Sequence, residues 1–485
     1  MPAEVLVQLL HILPVLLLMC GALLALLAGL LPPHLAARRA AAVLLGAALL
    51  ALAATLALPP ASSVRVLGLL TYDAFTAYLW RLLLGTLALL VPLSATYVRR
   101  HLREPGLFYA SLGLLACGAL LATATSDTLM LLLALELVGI SGCVLAGFGR
   151  EGRVSMVALA RYVAYGVVLT AVLALSLAWL YGVTGTTDYG LASQALAGWE
   201  STSALAPLLV LLLAGLAFKL GAAPFNPWLP ELLEAAQPAT AALAILPRIA
   251  GMGALARLTV VLLPETLGLG QVWRWPLLTL LALMSMTVGN IAGLRQSGIS
   301  RLLAYGGISQ TGYLLIALVV MGERGLVALL LALTATVLAE VGTFAAITGL
   351  ALSAPAKSLT DLHGLLRRAP LLAGVLLLSA LSLFGLPGTG GFVGRLWLFV
   401  ATFEGGHLWL LGAVAANSVL SGAVYWRLVQ APATRPQQPA HPLLMPWASQ
   451  MAMLVAGMGV LGLGFVPGPV VRWAEAAARA LFAFG

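Results

Sequence analysis

Runs of twenty or more apolar residues follow one another along nearly the whole of this 485-residue chain, and no hydrophilic stretch between them is long enough to fold alone. A helical run of that length spans the ~30 Å hydrocarbon core of a bilayer. Soluble domains carry about 25% charged residues, whereas this chain carries 8% and is 62% hydrophobic. Such a chain could not cover a water-exposed surface. The fold class expected is therefore an all-α polytopic membrane protein with about 14 transmembrane helices. The N-terminus lacks a basic leader and an A-x-A site and reads as the first span, not a removed signal.

Two of the spans are interrupted. The seventh, over residues 205–235, breaks at AAPFNPWLP, and the twelfth, over 370–403, breaks at FGLPGTGGFVG. Proline and glycine kink many membrane helices, but two breaks five spans apart suggest an internal repeat of five helices. An odd repeat length inverts the two copies across the membrane. The chain then divides into residues 1–104 (the first three helices), 105–264 (the first repeat), 265–430 (the second, inverted repeat) and 431–485. The last part holds the fourteenth helix and a short amphipathic one, with Arg472, Glu475 and Arg479, expected at the membrane interface. In transporters, broken helices expose backbone polar groups to water or an ion and mark the transport site.

The formal net charge of +9 could suggest a nucleic-acid partner, but the basic residues are spread over short loops without interleaved aromatics. They fit the lipid bilayer and membrane orientation better. The loops after odd-numbered spans, among them HLAARRA, VRRHLREP and KSLTDLHGLLRRAP, are the richer in Lys and Arg. That places them in the cytoplasm and both termini on the other side. Three cysteines without a CxxC pair and six histidines without an i,i+4 pair give no disulfide framework, iron–sulfur signature or metal site. GLPGTGGFVG matches no phosphate-binding loop.

Charged residues within the spans are the functional candidates, because each costs about 2.5–3.5 kcal/mol even on a lenient insertion scale. Glu136 lies mid-way along the fifth span, Lys219 and Arg248 on the seventh and eighth, Glu340 on the eleventh and Arg395 on the twelfth. Acid and base alternate along the chain. A buried carboxylate and ammonium stabilise one another's charged forms, so separating them favours proton transfer. The bland alternative is a set of structural ion pairs. Lysine usage favours the sharper reading: the chain has two lysines against 23 arginines, and one of the two is Lys219. Lysine can lose its proton when buried, whereas arginine effectively cannot. Arg248 and Arg395 are accordingly expected to act as fixed charges, with Glu340 as a proton-carrying group near the twelfth span. Glu231 and Glu234, at the mouth of the broken seventh span, could gather protons or be ordinary solvated acids.

Several stretches resemble a known family. FKLGAAPFNPWLPELLEAA resembles its FKxGxxPFHxWxPDxYEGAP, and GNIAGLRQSGISRLLAYGGISQTGYLL its GNxxALxQxxxKRLLAYSSIxxxGYxL. LSLFGLPGTGGFVGRLWLF resembles LSLxGIPPTxGFxGKxxLF, and LELVGISGCVLAGF completes the set. Together they resemble the antiporter-like membrane subunits of proton-pumping NADH:quinone oxidoreductase (respiratory complex I), most closely the N-type. Mrp-type cation/proton antiporter and membrane-bound hydrogenase subunits share much of the pattern. The resemblance implies that Glu136 and Lys219 form the proton-path pair, and that Arg248 and Arg395 stand where the family has lysines. It also implies that Asn226 replaces a histidine, Ser300 replaces a lysine, and Glu340 is an acid at a position usually uncharged. It implies coupling of quinone reduction to proton movement in a bacterial inner membrane, with other membrane subunits and a redox arm as partners. FMN, iron–sulfur clusters and quinone would then sit in partner subunits, with no cofactor or metal on this chain. An Mrp-type module and a pump-inactive structural subunit are the competing readings.

Overall fold

The computed structural model describes residues 2–58, 63–148, 153–198, 205–235, 242–264, 275–320, 322–353, 356–435 and 446–484. Among them, 12 helices are long and apolar enough to cross a membrane, from Val7–Ala28 to Trp447–Phe465. Two further crossings are broken. One is built from Ala206–Leu220 and Trp228–Ala235, the other from Pro370–Phe384 and Gly390–Glu404. Both stand where the sequence places the seventh and twelfth spans, and they complete the expected count. The described part of the eighth span begins at Ala242.

The two breaks share one local construction. Each first half ends on a glycine in the left-handed region, Gly221 at φ 64° and Gly385 at φ 88°. Gly221 N–H donates to the Phe218 carbonyl at 2.9 Å and Ala222 N–H to the Ala217 carbonyl at 2.8 Å. Gly385 N–H donates to Ser382 at 2.9 Å and Leu386 N–H to Leu381 at 3.0 Å. This pair of bonds is the Schellman motif that ends a helix while satisfying two of its last carbonyls. Of the remaining terminal carbonyls, Leu220 accepts from Thr311 Oγ1 and Leu383 from Gln310 Nε2 and Arg395 Nη2, at the negative end of each helix dipole.

Burial sorts the spans. The eighth (Ala242–Leu262), tenth (Ile299–Val320), fourth (Pro105–Ala124) and eleventh (Gly322–Ala351) form the interior, while the first, second and sixth (Met156–Thr184) lie at the periphery. Close approach is bought by small residues, as usual for membrane helices. A Cβ on Gly289 of the ninth span (Trp275–Leu294) would stand 2.5 Å from the Ser309 nitrogen.

Three features depart from the sequence reading. Residues Val64–Val66 and Leu70–Tyr72 pair as a small antiparallel hairpin beside the third span (Ala74–His101). A short helix, Tyr189–Ala197, lies after the sixth span, started by Asp188, whose side chain accepts from Leu191 N–H. The C-terminal helix Gly468–Phe484 packs against the bundle, a contact the sequence reading did not include. Its Ala474, Ala477, Ala478 and Leu481 are buried, and it packs across the third and eleventh spans.

Candidate functional site

Lys219 is the last residue but one of the first half of the broken seventh span, where the helix dipole favours a cation. Its Nζ donates to Glu136 Oε1 at 2.8 Å and to the Leu135 carbonyl at 3.3 Å. Thr170 Oγ1 donates to the same carboxylate oxygen at 2.9 Å. The fifth span (Thr128–Gly147) makes room for the ammonium with Gly139, where a Cβ would stand 3.1 Å from Nζ. The lysine side chain is 8% exposed, but the glutamate is 34% exposed. It opens onto a face bearing the exposed Leu129, Leu133 and Ile140.

Arg248 and Glu340 form the second pair. Arg248 Nη1 donates to Glu340 Oε1 at 2.5 Å, with both side chains buried. Glu340, on the eleventh span that packs against both halves of the twelfth, thus takes its ionic partner from the eighth. Arg395 instead reaches back to the first half of its own broken span. Its Nη2 donates to the Leu383 carbonyl at 2.7 Å and to Ser421 Oγ at 3.0 Å, and its guanidinium lies 4.7 Å from the centre of the Tyr313 ring. Both breaks therefore set a cation against a helix C-terminus, Lys219 from the helix itself and Arg395 from the half that follows. Among the described residues no carboxylate pairs with Arg395. It lines a cavity of roughly 510 Å³ together with Phe384, Phe392, Phe399, Ser418 and Trp426.

The tenth span joins these points. Thr311 Oγ1 donates to the Leu220 carbonyl at 3.4 Å and to the Gly307 carbonyl at 3.1 Å, linking the first break to the ground beside Arg248. Gln310 Nε2 donates at 3.0 Å to the Leu383 carbonyl that Arg395 also uses. Tyr425 is buried with its hydroxyl against Gly306 of the same span. A row of polar groups, buried at Arg248 and Glu340 and partly exposed at its two ends, thus runs from Glu136 to Arg395. Sequence reading missed Gln310, Thr311 and Tyr425; a glutamine within an apolar span was the available signal.

It also missed a third pair. Arg257, not among the sequence candidates, is fully buried on the eighth span. Its Nη2 lies 2.9 Å from Asp73 Oδ2 and donates to Thr76 Oγ1 at 2.8 Å, while Asp73 also caps the third span by accepting from Thr76 N–H. Removing one partner of such a pair costs about 3–5 kcal/mol, because the other charge stays buried. Arg257→Met should therefore lower the thermal midpoint in detergent sharply, and Arg257→Met with Asp73→Asn should recover much of it. An unaltered midpoint in the single variant would disprove this role.

Glu231 and Glu234 are neither free nor central. They pair with Arg161 at 2.6 Å and Arg301 at 2.5 Å, tying the second half of the seventh span to the sixth and tenth. Exposed pairs of this kind contribute at most about 1 kcal/mol.

Among the described residues, fourteen crossings, two of them broken beside the cations Lys219 and Arg395, define an antiporter-like helical membrane protein. The family described as NADH:quinone oxidoreductase/Mrp antiporter, TM matches residues 125–421. The chain belongs to that family. It is 35% identical to NADH-quinone oxidoreductase subunit N 2 of Symbiobacterium thermophilum, over 85% of this chain and 84% of that relative. It is 34% identical to NADH-quinone oxidoreductase subunit N of Moorella thermoacetica, over 98% and 99%. A chain of respiratory complex I from Thermus thermophilus superposes with TM-score 0.79 at 28% identity, covering 96% of this chain and 99% of that one. A chain of the Mrp complex from Dietzia shares the fold, with TM-score 0.84 at 21% identity over 99% and 98%.

Proposed function

We propose that this chain is a membrane-arm subunit of a bacterial NADH:quinone oxidoreductase that moves protons through its row of buried charged groups. The observation that carries the reading is Lys219, a titratable cation held 2.8 Å from Glu136 at a helix break. The break supplies backbone polar groups that can take water in the membrane. Lys219 keeps its proton while Glu136 faces it and releases it when the carboxylate withdraws. Glu136 is the group a neighbour can pull, since it opens onto an apolar outer face. A carboxylate left against lipid at that depth is costly, so an adjacent membrane subunit covers this face in the assembled complex. Electron transfer from NADH to quinone, with its flavin and iron–sulfur centres, belongs to partner chains. The two repeats, 105–264 and 265–430, are the two halves through which charge passes.

The test is purification with the native neighbours, followed by reconstitution. NADH addition should acidify the vesicle lumen while quinone is reduced. Sodium–proton exchange without any electron donor would replace this reading with an antiporter module.

The orientation is part of the proposal. In a background without the native cysteines, Arg103→Cys should react only with reagents on the cytoplasmic side and Gln194→Cys only from outside. The opposite labelling pattern would invert the assigned topology.

A further inference from the structure

The central pair is held by one contact on one side and crowded on the other. Arg248 Nη1 meets Glu340 Oε1, while Arg248 Nε and Glu340 Oε2 are buried without a protein partner. Behind the guanidinium stands the tenth span at Gly307. A Cβ there would lie 2.5 Å from Arg248 Nη2 and 3.5 Å from Glu340 Oε1, closer to the nitrogen than Cβ atoms come to anything. Gly307 lies within a regular helix and is not among the glycines of positive φ, so backbone geometry does not require it. A glycine in a helix interior is less favourable than an alanine there. Space for the guanidinium is what it supplies. Its neighbour Gly306 serves a different group, the Tyr425 hydroxyl, which a Cβ would approach to 2.6 Å. The resembling family motif, LLAYSSI, carries serine at both positions.

We propose that Gly307 is a positioning residue that seats the Arg248 guanidinium on Glu340, so that Gly307, Arg248 and Glu340 act as one co-adapted unit at the centre of the chain. Its role in proton transfer rests on the function proposed above. The chemistry explains why the three go together. A lysine at 248 would bring a compact ammonium on a flexible stem, needing no flat recess. An arginine brings a planar fork that must lie somewhere, and a permanent charge that must be balanced. Gly307 gives the fork its place, and Glu340 balances the charge while supplying the only group of the three able to exchange a proton. If Gly307 served only to let the tenth span approach the eighth, its replacement would be harmful whatever stood at 248.

The experiment is a double-mutant cycle in the assembled complex with Gly307→Ala, Arg248→Lys and the two combined. Protons translocated per electron are measured in vesicles, and thermal midpoints in detergent. Contacting residues typically couple by about 0.5–3 kcal/mol, roughly twofold to 150-fold. Gly307→Ala should lower translocation at least fivefold in the Arg248 background. In the Arg248→Lys background, whatever level that sets, the same change should cost less than about twofold. Equal losses in both backgrounds, or normal translocation by Gly307→Ala, would overturn the proposal. The thermal cycle keeps the two ideas apart. Coupling there with a wild type that reduces quinone but moves no protons supports the seating role and overturns only the proposed function. Thermal effects that simply add overturn the seating role itself.

Discussion

Replacing Lys219 with methionine is expected to stop proton translocation through this chain while leaving it folded and assembled. Methionine keeps the unbranched shape and fills the space beside Gly139, so packing is preserved. What disappears is the proton that Nζ holds against Glu136 Oε1 at 2.8 Å. Positioned acid–base groups typically contribute about 10²- to 10⁴-fold to the rate of a proton transfer, so a loss of at least tenfold in the rate of proton movement through this chain is expected. Glu136→Gln should act similarly, because the amide cannot draw the ammonium back and forth. Lys219→Arg separates charge from titration: arginine restores the cation but will not release its proton. Measured as NADH-driven acidification of vesicles, with subunit content checked on gels, Lys219→Arg should be nearly as defective as Lys219→Met. Full pumping in the arginine variant would mean that position 219 contributes a fixed charge only, and the reading of this break as a proton station would fall.

The crossings and their two interruptions were legible in the sequence because each rests on local physics. Bilayer thickness fixes the length of an apolar run, and LGAAP and FGLPG announce a left-handed C-terminal glycine before a proline-bearing turn. Membership of the buried row was legible too, since an ionisable residue in an apolar run is conspicuous. Partnership was legible only for Glu136 and Lys219, through the family resemblance. Glu340 pairs with Arg248 across 92 positions of sequence. Which helix faces which depends on rotation about each axis, and the hydrophobic pattern of a helix apolar all round does not encode that. The same reason hid the pairing of Arg257, on the eighth span, with Asp73, which caps the start of the third. Neutral polar groups such as Tyr425 and Gln310 carry too small an insertion penalty to stand out. The hairpin at 64–72 escaped because three-residue strands have almost no pattern to read.

The central pair offers the sharpest separation of structure from function. Glu340→Gln should abolish its share of proton transfer, but it also leaves the Arg248 guanidinium buried opposite a neutral amide. Breaking a buried pair from one side costs about 3–5 kcal/mol, whereas replacing both partners with apolar groups of similar size is often neutral or stabilising by about 1–4 kcal/mol. The pair here is a weak structural device, since one contact leaves Arg248 Nε and Glu340 Oε2 without protein partners. The combined change Arg248→Met with Glu340→Met should therefore assemble at least as well as the natural chain and melt no lower. Proton translocation should nonetheless stay as low as in Glu340→Gln, because an apolar centre cannot pass charge from the Lys219 side toward Arg395. A protein whose stability recovers while pumping does not would keep these charges for transfer, not for folding. Pumping that returns together with stability would make the distal half a scaffold and confine proton movement to Glu136 and Lys219.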